Sequence, residues 1–163
     1  MMLKDNSGNS KKHIAAIYNR VSKEIQVLKG INLEAMEEKC LEFCKLKDWE
    51  VYKIYTDYGI SAKSIKGRND FQNLLNDSKK NLFDVVVVFK FDRAFRNIKD
   101  AVNILDIFKE NNVEFVSVAE SIDTTTSMGK FVYVIISAIA DLERTQISER
   151  IKGLLDKGKL WDY

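Results

Sequence analysis

The 163-residue chain has one histidine, His13, placed at the edge of a polar N-terminal segment. Ser-His-Asp and Cys-His catalysis and His-rich metal sites are thereby excluded. Cysteine is nearly as scarce, with only Cys40 and Cys44. Two thiolates at i, i+4 on a helical stretch, with no histidine nearby, fall short of a closed metal site, so the expectation is two buried apolar side chains. No G-x-x-x-x-G-K-[ST] occurs, and no G-x-G-x-x-G follows the first strand, so loops of the kinds that cradle nucleotides are missing. The longest apolar run, Phe131 to Ala140, is interrupted by Tyr133 and Ser137 and is about half of the roughly 20 residues a membrane span needs. The start, MMLKDNSGNSKKH, has no signal-peptide core, which makes a cytoplasmic chain the expectation. Neither sign of charge dominates: 26 Lys and Arg against 24 Asp and Glu leave +2. Any polyanion site must come from local clustering.

What is present is an ordinary globular composition, 45% hydrophobic and 31% charged, enough for a real core. Residues 1–12 lack an apolar period and are expected to form a disordered tail. Apolar runs predict strands at 14–18, 51–55, 85–89 and 113–118, with Asp57-Tyr58-Gly59 ending the second. Helical spacing appears over 33–49, with Asn32 as its cap, over 69–80, and from Ile98 to Phe108. Strands alternating with helices give an α/β fold, a mainly parallel central sheet with helices on both faces. The α/β core is expected over 13–127. Its ligand site is expected beyond the carboxyl ends of the strands, where Arg20 and Ser22, Asp57, Lys90, Asp92, Arg93 and Arg96, and Glu120 and Asp123 gather.

The last element is predicted to be one helix over 128–156, with no proline to interrupt it. Its apolar residues change phase: Phe131, Ile135, Ala138 and Leu142 form one stripe, and Ile147, Ile151, Leu154 and Leu155 another. The second stripe needs its own partner, either another part of the core or, given the length, another subunit or DNA.

An arginine cluster around a serine remains as the chemistry. Strand alternation points Arg20 and Ser22 to the same side, and i, i+3 spacing on a helical turn would put Arg93 and Arg96 on one face. With Arg68 and Lys90 these cations suit a phosphodiester, because guanidinium is always charged and grips phosphate oxygens through a fixed fork. Ser22 would be the nucleophile, its proton passing to a carboxylate such as Asp92 or Asp57, to the arginines or to solvent. The competing explanation is ordinary ion pairing of Arg20, Arg93 and Arg96 with Asp57, Asp92 and Glu120.

Tyr18-Asn19-Arg20-Val21-Ser22, Gln26, Tyr55-Thr56-Asp57-Tyr58-Gly59-Ile60-Ser61, Arg68, Lys90-Phe91-Asp92-Arg93 with Arg96, Glu120-Ser121-Ile122-Asp123-Thr124 and Glu143-Arg144-x-x-Ile147-x-Glu149-Arg150 together resemble the serine recombinases, the resolvase/invertase family. The long spacer from Ser22 to Leu33 is most like the large branch of phage integrases and transposon recombinases. The resemblance implies a site-specific DNA recombinase in which Ser22 attacks a DNA phosphodiester, giving a 5′-phosphoserine link and a free 3′ hydroxyl, with no metal and no cofactor. It implies that Arg20, Arg68, Arg93 and Arg96 hold the phosphate and that Asp92 orients arginines or assists proton transfer. Gln26, Asp57, Lys90 and Glu143 would support the site. Arg144, Arg150 and Lys152 on the long helix would contact DNA, with Lys157 and Lys159 as further charges. The implied partners are DNA and further copies of the chain, a dimer and an active tetramer.

The sequence departs from the family pattern at Met36, where a glutamine is usual, at Ala94-Phe95 in place of Leu-Ser, and at Ala62 in place of glycine. The DNA-binding domain that the large branch carries after its long helix is expected to be absent here, with 157–163 as a truncated end. A silent oligomerisation or DNA-architecture module of the same fold, and a phosphate-binding signalling domain, are the alternatives.

Overall fold

The computed structural model describes residues 12–21, 33–58 and 67–159. Ser22, Gln26, Ala62 and nearly all of the expected tail lie outside the described residues. The elements are β1 (Ile14–Val21), α1 (Leu33–Leu46), β2 (Glu50–Tyr58), α2 (Asn69–Lys79), β3 (Val85–Val88), α3 (Phe91–Ala94), α4 (Ile98–Glu110), β4 (Glu114–Ser117), β5 (Ile122–Asp123) and α5 (Ser127–Lys159). The five strands lie in the order β2-β1-β3-β4-β5. The first four are parallel and β5 runs antiparallel to β4.

Alternation along the strands divides the core between the two faces of the sheet. Ala16, Tyr18, Val86, Val88 and Phe115 pack with Phe71 and Leu74 of α2 and with Ala101, Ile104, Leu105 and Phe108 of α4. Ala15, Ile17, Val85, Val87 and Val116 face Cys40 and Cys44 of α1. All four residues of β3 are buried, as a β-branched run covered on both sides requires. Three connections turn on left-handed residues that are not glycine: Asp48, Asn81 and Asn112, at φ of 56°, 55° and 56°. Short polar side chains tolerate that conformation, so a chain with seven glycines can still turn sharply after α1, α2 and α4.

Several expected boundaries move. β1 and β2 run past their apolar stretches, so Asn19, Arg20, Asp57 and Tyr58 are strand residues; Arg20 sits opposite Asp57 in register. Parallel pairing on the neighbouring strand holds them extended, which turn propensity at Asp57 does not override. α1 stops at Leu46, and α5 continues to Lys159.

The long helix faces differently from the expected phase. Its seat is Gly129, where an added Cβ would stand 1.8 Å from the Asp123 carbonyl oxygen. The helix then meets α4 through Tyr133, whose hydroxyl donates to Asp106, and through buried Ala140. Small residues at 129 and 140 allow that close approach, and they rotate the stripe expected on the body outward: Phe131 is 60% and Leu142 58% exposed. Residues 141–154 are all exposed. Among the described residues no helix is long and apolar enough to cross a membrane.

Candidate active site

Chain order reverses between β1 and β3, since β1 leads to β2 on one side and the chain then returns to β3 on the other. A crevice at such a switch point is where α/β sheets place ligands. Arg20 leaves the carboxyl end of β1 there. Its Nη2 donates to the Asp92 carbonyl at 2.9 Å and its Nε to the Arg93 carbonyl at 3.3 Å. The main chain of α3 thus holds this guanidinium, and the Asp92 side chain stays exposed.

Arg68 comes to the same place from the residue before α2. It is 4% exposed. Its Nε and Nη2 donate to the Tyr18 hydroxyl oxygen at 3.0 and 2.9 Å, and Nη2 reaches the Arg93 carbonyl at 3.5 Å. The guanidinium carbon lies 4.0 Å from the Phe71 ring centre. Arg20 and Arg68 therefore share one acceptor oxygen. Burial, then the neighbouring Arg68 and Arg93, push the Arg20 guanidinium below its ordinary pKa.

Behind Arg68, the Tyr18 hydroxyl donates to Asp57 Oδ2 at 2.9 Å. The same carboxylate accepts from the amides of Asp70 at 3.0 Å and Phe71 at 3.1 Å, at the start of α2. Burial is the largest influence on Tyr18 and raises its pKa, keeping it a neutral donor. Asp57 thus ties the first turn of α2, Tyr18 and Arg68 into one unit.

Arg93 is half-buried. Its Nε stands 3.5 Å from Asp92 Oδ1 without a hydrogen bond, a buried donor with none among the described residues. Lys90 and Arg96 are exposed. The one-face expectation for Arg93 and Arg96 fails, because α3 ends at Ala94 and Phe95 is extended, with φ −118° and ψ 149°. Arg96 lies beyond the helical turn. Glu143, Arg144, Arg150 and Lys152 are all exposed on α5, and among the described residues no hydrogen bond or ion pair joins them to the arginine cluster; Arg144 donates to Asn103 of α4 at 3.4 Å and pairs with Asp141 at 3.5 Å. Ion pairing accounts for part of the cluster only: Arg93 stands beside Asp92, whereas Asp57 and Glu120 bind hydroxyls and main-chain amides.

Tyr18 and Glu120 are the residues whose part sequence reasoning did not assign. A strand tyrosine amid small apolar neighbours is the available signal, since a buried hydroxyl needs a partner. Met36 is a buried face residue of α1. Both cysteines are also buried, with thiol pKa values pushed up to about 12 at Cys40 and about 11 at Cys44, chiefly by burial.

A model of the resolvase N-terminal domain matches residues 15–160. The chain belongs to that family, the serine recombinases. The Tn917 resolvase of Enterococcus faecalis is 32% identical over 120 residues, covering 74% of this chain and 63% of the relative. The catalytic domain of TP901-1 integrase superposes with a TM-score of 0.75 at 35% identity, over 82% of this chain and 98% of that one. A resolvase family site-specific recombinase from Streptococcus pneumoniae gives 0.73 at 33%, over 91% and 99%. The chain spans less than two thirds of the length of the curated relatives, 63% of the Tn917 resolvase and 41% of the phage P1 DNA-invertase.

Proposed function

We propose that this serine recombinase catalytic domain cleaves and rejoins DNA at specific sites with Ser22 as nucleophile. The observation that carries the reading is the convergence of Arg20 and Arg68 on the Arg93 carbonyl, at the end of the strand that Ser22 directly follows. A buried and a half-buried guanidinium that repel one another are stabilised by an anion between them, and a phosphodiester supplies one whose charge grows in the transition state. Ser22 Oγ bonds to phosphorus while the bond from phosphorus to the 3′ oxygen breaks. The 5′ end stays on the serine, the serine proton passes to a base or to water, and the departing 3′ oxygen takes up a proton from an acid or from water to become a hydroxyl, so no net proton is gained or lost. Reversal on a different 3′ hydroxyl reseals the strand, so no external energy source is needed. Both Asp57 oxygens are engaged by Tyr18 and by amides, so of the two carboxylates the proton is assigned to exposed Asp92.

DNA and further copies of the chain are the partners of this reading. α5 offers exposed Arg144, Arg150 and Lys152 to phosphates and exposed Ile147, Ile151 and Leu154 to a second copy. The test is incubation of the protein with supercoiled plasmids carrying the DNA that flanks its gene, followed by detection of protein attached to 5′ ends. Wild type should form the adduct and Ser22→Ala should form none while keeping the same circular dichroism spectrum. An adduct in the Ala variant removes Ser22 from the mechanism.

A further inference from the structure

α3 is a single helical turn, too short to hold itself by its own hydrogen bonds. It nevertheless supplies the two carbonyls, of Asp92 and Arg93, on which Arg20 rests. Its N-cap residue, Lys90, has the extended backbone of a cap, φ −133° and ψ 146°, but no capping side-chain bond. The amide of Phe91 would then be one of the orphan donors of a helix start.

The acceptor comes from elsewhere in the chain. Glu120 Oε2 receives the Phe91 amide at 3.1 Å, 29 residues away in sequence. The same oxygen accepts from the hydroxyl of Ser117, a fully buried residue that pairs with Val88 at the end of β3. The intervening turn is fixed by its own main chain: the amides of Val118 and Ala119 donate to the carbonyls of Val88 at 3.0 Å and Phe89 at 2.8 Å. Ser121 completes the turn in the left-handed region at φ 55°. Glu120 is thus anchored to the rigid end of β4 and reaches across to the start of α3. From below, the Phe91 ring packs on Phe95 and Phe115, with ring centres 4.7 and 6.1 Å away. Those contacts hold the turn in place but do not fix its rotation, whereas a directed hydrogen bond at its first amide does.

We propose that Glu120 is a positioning residue, which caps α3 from the β4–β5 turn and so sets the carbonyls that aim Arg20 and Arg68 at the phosphate. This rests on the recombinase reading for its consequence, but not for the clamp itself. The bond needs an acceptor oxygen at the end of a two-methylene side chain; it does not need a charge. Glu120→Gln keeps that geometry without charge, Glu120→Asp keeps the charge with a shorter reach, and Glu120→Ala removes both.

Amide hydrogen exchange at Phe91 and the rate of protein–DNA adduct formation are measured on the same four proteins, with duplex affinity measured alongside. In the Ala and Asp variants, exchange at Phe91 should quicken about tenfold or more and adduct formation should slow by about tenfold or more, since misplacement near 1 Å can cost ~100-fold. Duplex affinity should stay within about twofold, and the Gln variant should match wild type in all three. A wild-type-like Asp variant with an impaired Gln variant would assign Glu120 an electrostatic role and overturn the proposal, as would unchanged exchange and rate throughout. Should wild type form no adduct, the recombinase reading fails, while the exchange pattern still decides whether Glu120 holds the turn.

Discussion

Replacing Asp57 tests whether the arginine site is built from behind. In Asp57→Ala, the Tyr18 hydroxyl and the amides of Asp70 and Phe71 lose their acceptor at a position 4% exposed. Each buried donor left without a partner costs about 1–3 kcal/mol, and two of these donors also lose a helix cap worth ~1 kcal/mol. Some relaxation and water entry reduce the sum, so the expected loss is about 3–4 kcal/mol, a large share of the ~5–15 kcal/mol that holds a domain. With a urea slope near 2 kcal/mol per molar, the midpoint falls by roughly 1.5–2 M. Asp57→Asn should cost about half as much, because its amide oxygen still serves one side while its NH₂ group opposes a donor on the other. Tyr18 cannot adapt by accepting from that NH₂, since its oxygen already takes two bonds from Arg68. Equilibrium urea unfolding followed by far-ultraviolet circular dichroism reads all of this, and a cycle with Tyr18→Phe should give a coupling of about 1 kcal/mol between the two positions. A loss below ~0.5 kcal/mol for Asp57→Ala, or no coupling to Tyr18, would refute the argument.

Above pH 9 the buried thiols should make the fold weaker. Cys40 and Cys44 hold their protons to about 12 and 11 when folded against an ordinary 9.0, so the unfolded chain binds fewer protons there and stability falls as pH rises. The expected loss is about 1 kcal/mol per thiol at pH 10, read by urea unfolding at pH 8 and 10; a Cys40→Ala, Cys44→Ala protein with the same slope would contradict it. Changing Ile147 and Ile151 to Asp should leave thermal stability unaltered, because both are exposed, and should shift sedimentation towards monomer. Covering that stripe removes at least ~300 Å² of apolar surface, several kcal/mol before association entropy; unchanged sedimentation would sink the idea. Replacing Arg144, Arg150 and Lys152 by Ala should weaken duplex binding uniformly across sequences and lower the slope of log affinity against log salt by about one for each phosphate no longer neutralised. An unaltered slope would show that these charges do not meet DNA.

The α/β architecture was legible because it is written in strong, local patterns. Val85–Val88 can only be a strand covered on both faces, and the spacing of Met36, Cys40 and Cys44 can only be one helix face. The ends of elements were not, because tertiary pairing sets them: Asn19 to Val21 and Thr56 to Tyr58 are strand because they lie side by side in register, not because of what they prefer. β5 is two residues long and carries no periodicity to detect. The face of α5 is hidden from the sequence for a related reason. Apolar spacing identifies stripes but not which one meets the body, and here close approach at Gly129 and Ala140 decides it.

The site shows the same division more sharply. Composition and order place arginines at strand ends, and the structure brings the guanidiniums of Arg20 and Arg68 to the main-chain oxygen of Arg93. What the linear spacing could not show is which groups hold them. Arg20 rests on main-chain carbonyls, and any residue supplies a carbonyl, so no side-chain pattern announces it. Asp57 reads as a turn former or an ion-pair partner, yet it spends its oxygens on a tyrosine and two amides. Glu120 reads as a strand-end acid or an ion-pair partner, yet its carboxylate accepts the Phe91 amide 29 residues earlier in the chain. Each is a polar group whose meaning depends on a neighbour distant in sequence, and each reaches the arginine cluster only through another group. Residues that touch a substrate can be guessed from their chemistry; residues that aim them are visible only once the chain is folded, so substitutions at Asp57 and Glu120 are the more searching test of how this active site is assembled.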